Sequence, residues 1–264
     1  MLPFSLAELQ QSQLLPELLE DLLLTGFYPP VYDQHIPAPE WVPNYIRTYI
    51  ERDVRQIKNI QSLLIFERFM RILAGRCAQE LNYAAIALEV GVDIKTIQTW
   101  IGILESSFII FLLRPYYKNF NKTLVKRPKL YFYDSSLVCS LLSIVNSTQL
   151  THHPVKGPLF ESMVVAELLK IKKNLGSENN LYYWREKSGV EIDILLDSSS
   201  GIIPVEIKSG MTIQKEFFKN INRFRSLHPL HQSFVLYNGD EEQKRSDGIQ
   251  VTNWKNINSI KAFQ

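Results

Sequence analysis

The chain has 264 residues, of which 45% are hydrophobic and 21% charged, and its formal net charge is +2. This composition is that of a globular protein rather than a disordered one, and the length is sufficient for two domains. Any nucleic-acid surface must come from local clustering of basic residues, because the net charge is small. The sequence has no signal peptide and no apolar run of transmembrane length, so it predicts a cytoplasmic protein with no membrane partner.

The first third of the chain is predicted to be helical. Residues 1–57 form one helical segment, with helices over 16–24 and 44–55 that are separated by a proline-rich connector. Another helix is predicted over 61–78, because apolar residues recur there at the spacing of a core-facing helix.

A helix-turn-helix pattern follows over residues 83–105. Gly91 suits the tight turn between the two helices, and Asp93 can accept hydrogen bonds from the free backbone amides at the start of the second helix. Two apolar segments, 108–113 and 130–133, then predict a pair of strands. Residues 58–145 are therefore expected to form a winged-helix domain.

The two predicted strands are joined by residues 114–129, which include six basic residues, several aromatic residues and no acidic residue. Basic groups bind phosphates and release counterions, and aromatic rings can stack on bases. The predicted DNA contacts are Lys118, Lys122, Lys126, Arg127 and Lys129 in this connector, Lys95, Thr96 and Gln98 on the second helix, and Arg185. The alternative is an ordinary solvated surface and, for Arg185, an ion pair with Glu186 or Glu191.

Two β-branched runs, 189–196 and 202–209, flank a cluster of turn residues and predict a β-hairpin. Because side chains alternate along a strand, Glu191 and Asp193 share one face, and so do Glu206 and Lys208. Strand pairing can then gather three carboxylates and one ammonium on the same side of the sheet. Core packing does not call for this arrangement, since unpaired buried charges are costly, whereas Mg²⁺ binds carboxylates together with water and phosphate oxygens.

The pattern of Asp193 followed by Glu206-x-Lys208 resembles the PD-(D/E)xK superfamily, which has the restriction-endonuclease-like fold. The resemblance implies that Asp193 and Glu206 bind Mg²⁺ or Mn²⁺ and that Lys208 binds phosphate or orients the attacking water. It also implies an acidic residue on a preceding helix, and Glu161 fits that position. The alternative for Glu161 is a carboxylate that stabilises the first turn of its helix. The fold is also used by inactive binding modules.

The expected fold class is therefore α+β or α/β. A helical winged-helix domain is followed by a restriction-endonuclease-like domain with a mixed sheet over residues 146–264. The domain boundary is placed at a predicted linker over residues 146–158.

The order of several motifs over nearly the whole chain resembles the C-terminal region of archaeal and bacterial AAA+ family ATPases. The motifs include Gly26-Phe-Tyr-Pro29, the helix-turn-helix, Pro128-Lys-Leu-Tyr-Phe132, Leu159-Phe-Glu161 and Pro204-Val-Glu-Ile-Lys-Ser209. Such ATPases carry a P-loop before these segments, but this sequence contains no Gly-Lys dipeptide, so no ATP binding is expected.

Two positions depart from that family pattern. Thr25 precedes Gly26 where the family usually has a second glycine, and Ser136 stands two residues after Asp134 where it usually has glycine. Both departures affect turns and leave the carboxylate cluster intact.

Three functions are compatible with these patterns. The first is a Mg²⁺-dependent nuclease that processes DNA, with Glu161, Asp193, Glu206 and Lys208 in the site. The second is a non-catalytic DNA-binding or regulatory module of a separate ATPase partner, and the third is transcriptional regulation through the winged helix. The first is favoured, because a decayed site would have lost at least one of the four residues. Substrate structure and oligomeric state are left open.

Overall fold

The computed structural model of the protein describes residues 2–54, 63–116, 126–177, 180–198, 201–228 and 232–263. The chain divides into two compact units, one formed by Met1–Leu112 with Leu130–Met163 and the other by Leu113–Lys129 with Val164–Gln264. Among the described residues, no helix combines the length and the apolar character that are needed to cross a bilayer.

The first unit is mainly helical. Its helices are α1 (Leu6–Gln11), α2 (Leu19–Thr25), α3 (Pro29–Asp33), α4 (Ala38–Thr48), α5 (Leu63–Ala74), α6 (Tyr83–Val90), α7 (Ile94–Ser106), α8 (Ser135–Leu141) and α9 (Ser147–His152), followed by the start of α10 (Lys156–Asn174). A π-helical turn, Tyr49–Val54, continues α4. The strands β1 (Ile110–Leu113) and β2 (Lys129–Phe132) pair in a two-stranded sheet.

Helices α6 and α7 confirm the two helices predicted over residues 83–105. The Asn82 side chain accepts a hydrogen bond from the Ala85 amide at 3.2 Å, and Asp93 accepts one from the Thr96 amide at 2.9 Å. Gly91 ends α6 with a φ of 83°, in the left-handed region that glycine adopts without strain. The local sequence therefore determines where each of these helices begins and where the first one ends.

Two predicted irregular segments are helical instead. Pro39 and Pro43 were assigned to a connector, but both lie in α4; Pro39 is in the first turn, where a proline leaves no hydrogen bond unmade. The predicted linker over 146–158 contains α9, whose first turn is capped by Asn146, and the start of α10. The division between the two units falls after Met163, within α10.

The second unit is built on a mixed six-stranded sheet. Its strands are β3 (Leu181–Arg185), β4 (Glu191–Ser198), β5 (Gly201–Lys208), β6 (Ser233–Tyr237), β7 (Gln243–Lys244) and β8 (Ile249–Asn253), in the order β3-β4-β5-β6-β8-β7. The pairs β3–β4, β4–β5 and β7–β8 are antiparallel, and β5–β6 and β6–β8 are parallel. A helical part followed by a mixed sheet with helices confirms the predicted α+β class.

One face of this sheet is covered by a short helical segment. A 3₁₀ turn, Lys215–Phe218, leads into α11 (Lys219–Arg225). Ile221 and Phe224 of α11 belong to the same buried apolar cluster as sheet residues including Leu195 and Val235. This packing holds α11 against the strands that carry the candidate site.

In the first unit, the turn that follows α2 packs closely against Asp134 and Ser136. Asp134 is buried, and its carboxylate accepts hydrogen bonds from the amide of Phe27 at 2.7 Å and the amide of Ser136 at 2.8 Å. Gly26 has a φ of +70°, and a Cβ placed on it would lie 2.6 Å from the Ser136 hydroxyl oxygen. The segment after α2 therefore requires a glycine here for backbone conformation and for space.

We expect Gly26→Ala to lower the free energy of unfolding clearly more than Gly91→Ala. Gly91 also has a positive φ, but an added Cβ there would meet nothing within 4 Å, so only backbone strain of about 1–2 kcal/mol applies. Gly26→Ala adds a steric clash that costs a further 1–3 kcal/mol or so. Urea denaturation of both variants measures the difference, and equal losses would contradict the packing described for Asp134.

Candidate functional site

The candidate site lies on the β4–β5 hairpin of the second unit. The strands pair with Ile194 opposite Val205; Asp193 directly precedes Ile194 on β4, and Glu206 directly follows Val205 on β5. The Asp193 carboxylate accepts a hydrogen bond from the backbone amide of Ile207 at 2.7 Å. The acid is thus bonded directly to the neighbouring strand, and its position depends on the register of the hairpin.

Lys208 brings the three predicted residues of the hairpin together. Its ammonium donates a hydrogen bond to Glu206 Oε2 and lies 3.6 Å from Asp193 Oδ2. The lysine side chain is 26% exposed, whereas the Glu206 side chain is 1% exposed. The lysine is therefore the most solvent-accessible residue of the cluster, and the carboxyl group of Glu206 beneath it is almost completely buried.

The pKa of the buried Glu206 carboxyl group is strongly shifted by its surroundings. Burial and the negative charge of Asp193 raise the pKa of its carboxyl group from 4.5 to about 8, although Lys208 and Asn220 act in the opposite direction. Its Oε1 has no hydrogen-bond partner of ordinary geometry among the residues that the structure describes. A buried acceptor without a partner is costly, so this oxygen is well suited to a cation or a donor from outside the chain.

Glu191, the third carboxylate of the predicted face, is held differently. Lys129 and Arg185 both donate hydrogen bonds to it, Arg185 at 2.8 Å. The Lys129 side chain is only 3% exposed, so this ion pair is largely removed from water. Two cations of the second unit therefore neutralise Glu191. For Arg185, the structure shows an ion pair with Glu191, which the sequence analysis gave as the alternative to a DNA contact.

Glu161 belongs to the first unit, on α10. It is partly buried, and its carboxylate accepts a hydrogen bond from the hydroxyl group of Tyr131 at 2.6 Å. This hydrogen bond orients the carboxylate. Its role in a metal site stays a prediction from the sequence resemblance.

The predicted DNA contacts occupy several environments. On α7, Lys95 and Gln98 are exposed, whereas the Thr96 hydroxyl donates a hydrogen bond to Asp93 at 2.7 Å. In the connector, Lys126 and Arg127 are exposed and Lys129 is buried against Glu191. Lys118 and Lys122 lie outside the residues that the structure describes. The role of each in binding DNA stays a prediction.

The sequence analysis did not identify Asn220 as a site residue. It is the second residue of α11, and its side chain lies close enough to Glu206 to lower the pKa of the carboxyl group. No sequence motif singles it out, because its approach to Glu206 depends on how α11 is rotated relative to the sheet.

The comparisons with known proteins identify two domains of unknown function. Residues 16–148 match the family described as "Domain of unknown function (DUF8612)", and residues 156–257 match "Domain of unknown function (DUF4143)". The uncharacterized proteins Rv2008c of Mycobacterium tuberculosis and Mb2031c of Mycobacterium bovis are each 28% identical over 193 residues. The matched region covers 72% of this chain and 43% of each relative, so the chain spans less than half of their length. No solved structure matches the chain.

The raised pKa of Glu206 predicts a pH-dependent stability in a metal-free buffer. The folded protein holds this proton up to about pH 8, whereas an unfolded chain releases it near pH 4.5. The contribution of the protonated carboxyl is therefore fully present below pH 4.5 and is lost as the pH rises through about 8. We expect the free energy of unfolding of Glu206→Gln, relative to that of the parent protein, to increase from about pH 5 to about pH 8.5. The reason is that glutamine does not ionise.

Urea denaturation at several pH values, in the presence of a chelator, measures this gain. Glu216→Gln is the control, since water solvates the exposed Glu216 in the folded and unfolded states alike, and its difference from the parent should not rise. If the free energy of unfolding of Glu206→Gln minus that of the parent stays constant or falls as the pH rises, Glu206 is already ionised in the folded protein at pH 5.

Proposed function

Because this chain belongs to the domain family DUF8612, whose function is unknown, we propose its function from the site itself: a Mg²⁺-dependent nuclease that hydrolyses phosphodiester bonds in DNA. The observation that carries this proposal is the convergence of Asp193, Glu206 and Lys208, with one buried oxygen of Glu206 that no described residue bonds with ordinary hydrogen-bond geometry. Two carboxylates beside an ammonium form a set that can bind a metal ion and a phosphate together.

The residues of the cluster fit Mg²⁺ or Mn²⁺. Both ions prefer oxygen ligands, and Mg²⁺ is commonly held by one or two carboxylates plus water and substrate phosphates. Asp193 and Glu206 would hold the ion, and Oε1 of Glu206 would gain a partner that none of the residues in the described ranges supplies with ordinary geometry. When bound, the metal ion lowers the pKa of a water molecule and neutralises charge on the reacting phosphate.

Lys208 has two successive roles in this proposal. Without a metal ion, its ammonium contacts both carboxyl groups and offsets the charge of Asp193, while Glu206 keeps its proton below about pH 8. With a divalent cation held by Asp193 and Glu206, the ammonium would be free to leave Glu206 and to bind a phosphate oxygen or orient the attacking water. Partial exposure of the lysine permits this movement, whereas the buried carboxyl beneath it stays fixed.

The proposal extends to the first unit by the sequence resemblance. Glu161 would complete the acidic set, and α6 and α7 would act as a winged helix that docks DNA through Lys95 and Gln98. DUF4143 domains occur in ATPase-associated proteins, which supports a separate ATPase as the partner. The activity of the longer relatives is part of the same proposal, because the chain covers only 43% of their length.

A second function, a non-catalytic DNA-binding or regulatory module, is favoured by one observation. Lys208 contacts both carboxylates, so the cluster can also be viewed as a closed ion pair that stabilises the sheet. The two functions differ in their response to metal. A closed ion pair gains nothing from Mn²⁺, whereas a metal site is stabilised by it.

We expect Asp193→Asn to abolish both the stabilisation of the protein by Mn²⁺ and the Mg²⁺-dependent cleavage of DNA. At a Mn²⁺ concentration about 100-fold above Kd, binding stabilises the parent by about 2.7 kcal/mol, which thermal denaturation detects as a rise of several degrees. Loss of one electrostatic contact to the reacting group lowers cleavage by about 10²–10³-fold. Asparagine retains a carbonyl oxygen for the Ile207 amide, so the hairpin should stay folded.

Asp197→Asn is the matched control, because it makes the same chemical change four residues along the same strand. It should retain the parent's response to Mn²⁺ and the parent's cleavage rate. If the parent and Asp193→Asn respond equally to Mn²⁺, the nuclease proposal is wrong and the structural function is the better one.

A further inference from the structure

The basic connector between β1 and β2 is anchored to the sheet of the second unit. The backbone amide of Tyr183 on β3 donates a hydrogen bond to the Arg114 carbonyl at 3.1 Å, and the Tyr116 amide donates one to the Tyr183 carbonyl at 2.8 Å. Pro115 and Tyr183 thus form a parallel bridge. At the other end of the connector, the Tyr183 hydroxyl donates a hydrogen bond to the carbonyl of Arg127. Both ends of the connector therefore meet at one residue.

This anchoring covers the outer edge of β3. An exposed edge strand has unpaired backbone groups, and Arg114–Tyr116 satisfies two of them. The ring of Tyr116 is buried and lies 5.4 Å from the ring of Tyr182, edge to face. Backbone hydrogen bonds and aromatic packing therefore hold the segment in place, and its basic side chains are not needed for that purpose.

Three basic side chains of the connector are exposed at this edge: those of Arg114, Lys126 and Arg127. In the described part of the chain, none of the three forms an ion pair with a carboxylate. Because the backbones of Arg114 and Arg127 both bond to Tyr183, these positive charges are concentrated in a short stretch of the sheet edge.

The acidic groups of the adjacent strands do not offset these charges. Glu191 is already bonded to Lys129 and Arg185, and Glu186 lies 3.3 Å from the guanidinium of Arg223. The edge of the sheet near Tyr183 therefore carries an excess of positive charge, although the whole chain has a net charge of only +2. A concentrated excess of this kind attracts a polyanion.

We propose that Arg114, Lys126 and Arg127 form a basic edge that binds the phosphodiester backbone of the nucleic-acid substrate beside the Asp193–Glu206–Lys208 site. The inference rests on the proposed nuclease function for its substrate class. Guanidinium groups suit this task, because they bind phosphate oxygens through two parallel hydrogen bonds. The second unit thus contacts its substrate by itself, in addition to any contact made by α7.

The strand order supports a shared substrate. β3 pairs with β4, which carries Asp193, so the anchored segment is two strand spacings, on the order of 10 Å, from the carboxylate. Phosphates of one DNA strand repeat about every 3.4 Å along a duplex. A nucleic-acid strand with one phosphate at the site therefore has further phosphates within reach of the basic edge.

The test replaces all three residues in the full chain, as Arg114→Gln, Lys126→Gln and Arg127→Gln. Fluorescence anisotropy then measures the binding of a labelled single-stranded oligonucleotide at several salt concentrations, with a chelator present. Each lost phosphate contact on single-stranded DNA lowers the salt dependence of log K by about 0.7. The triple variant should therefore bind more weakly, with a slope about two units smaller than that of the parent.

Two control variants separate contact from net charge and from misfolding. Lys215→Gln, Lys244→Gln and Lys261→Gln together remove three exposed charges elsewhere in the same unit and should leave the slope within about half a unit of the parent's value. Arg114→Lys, Lys126→Arg and Arg127→Lys together conserve charge and should retain the slope. If the glutamine triple fails to fold, Arg127→Gln alone should lower the slope by about 0.7.

Several results would overturn the basic edge: an unchanged slope in the glutamine variant that folds, an equal loss in the lysine control, or a parent that does not bind the oligonucleotide. A parent that binds through the edge but does not cleave in Mg²⁺ would remove the proposed nuclease function and leave the edge standing. If the parent cleaves DNA and the glutamine triple variant is equally active with an equal salt dependence, the basic edge is wrong and the proposed nuclease function stands.

Discussion

The second unit depends on the neutralisation of a buried carboxyl group. Glu206 is 1% exposed and is adjacent to a second carboxylate, Asp193, and the ammonium of Lys208 contacts both. Removing one partner of a buried charge pair typically costs about 3–5 kcal/mol, because the other charge is left without compensation. The arrangement therefore persists only if the buried carboxyl group stays neutralised: it keeps its own proton below about pH 8, and a cation, either the lysine or a metal ion, must balance its charge once it ionises. This requirement links the stability of the unit to its proposed chemistry.

The rest of the sheet holds this cluster in register. The Ile207 amide bonds to Asp193, so a shift of β4 against β5 by one residue would break the bond and turn every side chain to the opposite face. On the other side of β5, β6 pairs in parallel with Glu206 opposite Val235, and α11 places Asn220 near the carboxyl group. A rigid hairpin with a partly exposed lysine lets one member of the cluster move while the acids remain fixed.

The sequence predicts the features that depend on local patterns. Alternating side chains and a turn cluster predict the hairpin, and the pairing of its strands brings Asp193, Glu206 and Lys208 to one place. An N-cap and a glycine predict α6 and α7. Prolines were misleading in α4, because a proline in the first turn of a helix resembles one in a loop.

Contacts between distant residues could not be predicted in this way. Lys129 and Glu191 are 62 residues apart in sequence, and only the folded sheet brings them together. The same holds for Gly26 beside Ser136, and for Tyr183, whose hydroxyl and amide anchor the two ends of the basic connector. The sequence also did not indicate that Arg114, Tyr116 and Arg127 bond to Tyr183 on β3, because these contacts join segments that are more than about 50 residues apart.

The most direct test of this account is a titration of the Glu206 carboxyl carbon by nuclear magnetic resonance, with and without Mg²⁺. In the metal-free protein the account predicts a pKa of about 8. Saturating Mg²⁺ should lower that pKa markedly, because a bound cation favours the ionised carboxylate. A titration curve for Glu206 that is the same at all Mg²⁺ concentrations would contradict the account and leave the cluster as a closed ion pair.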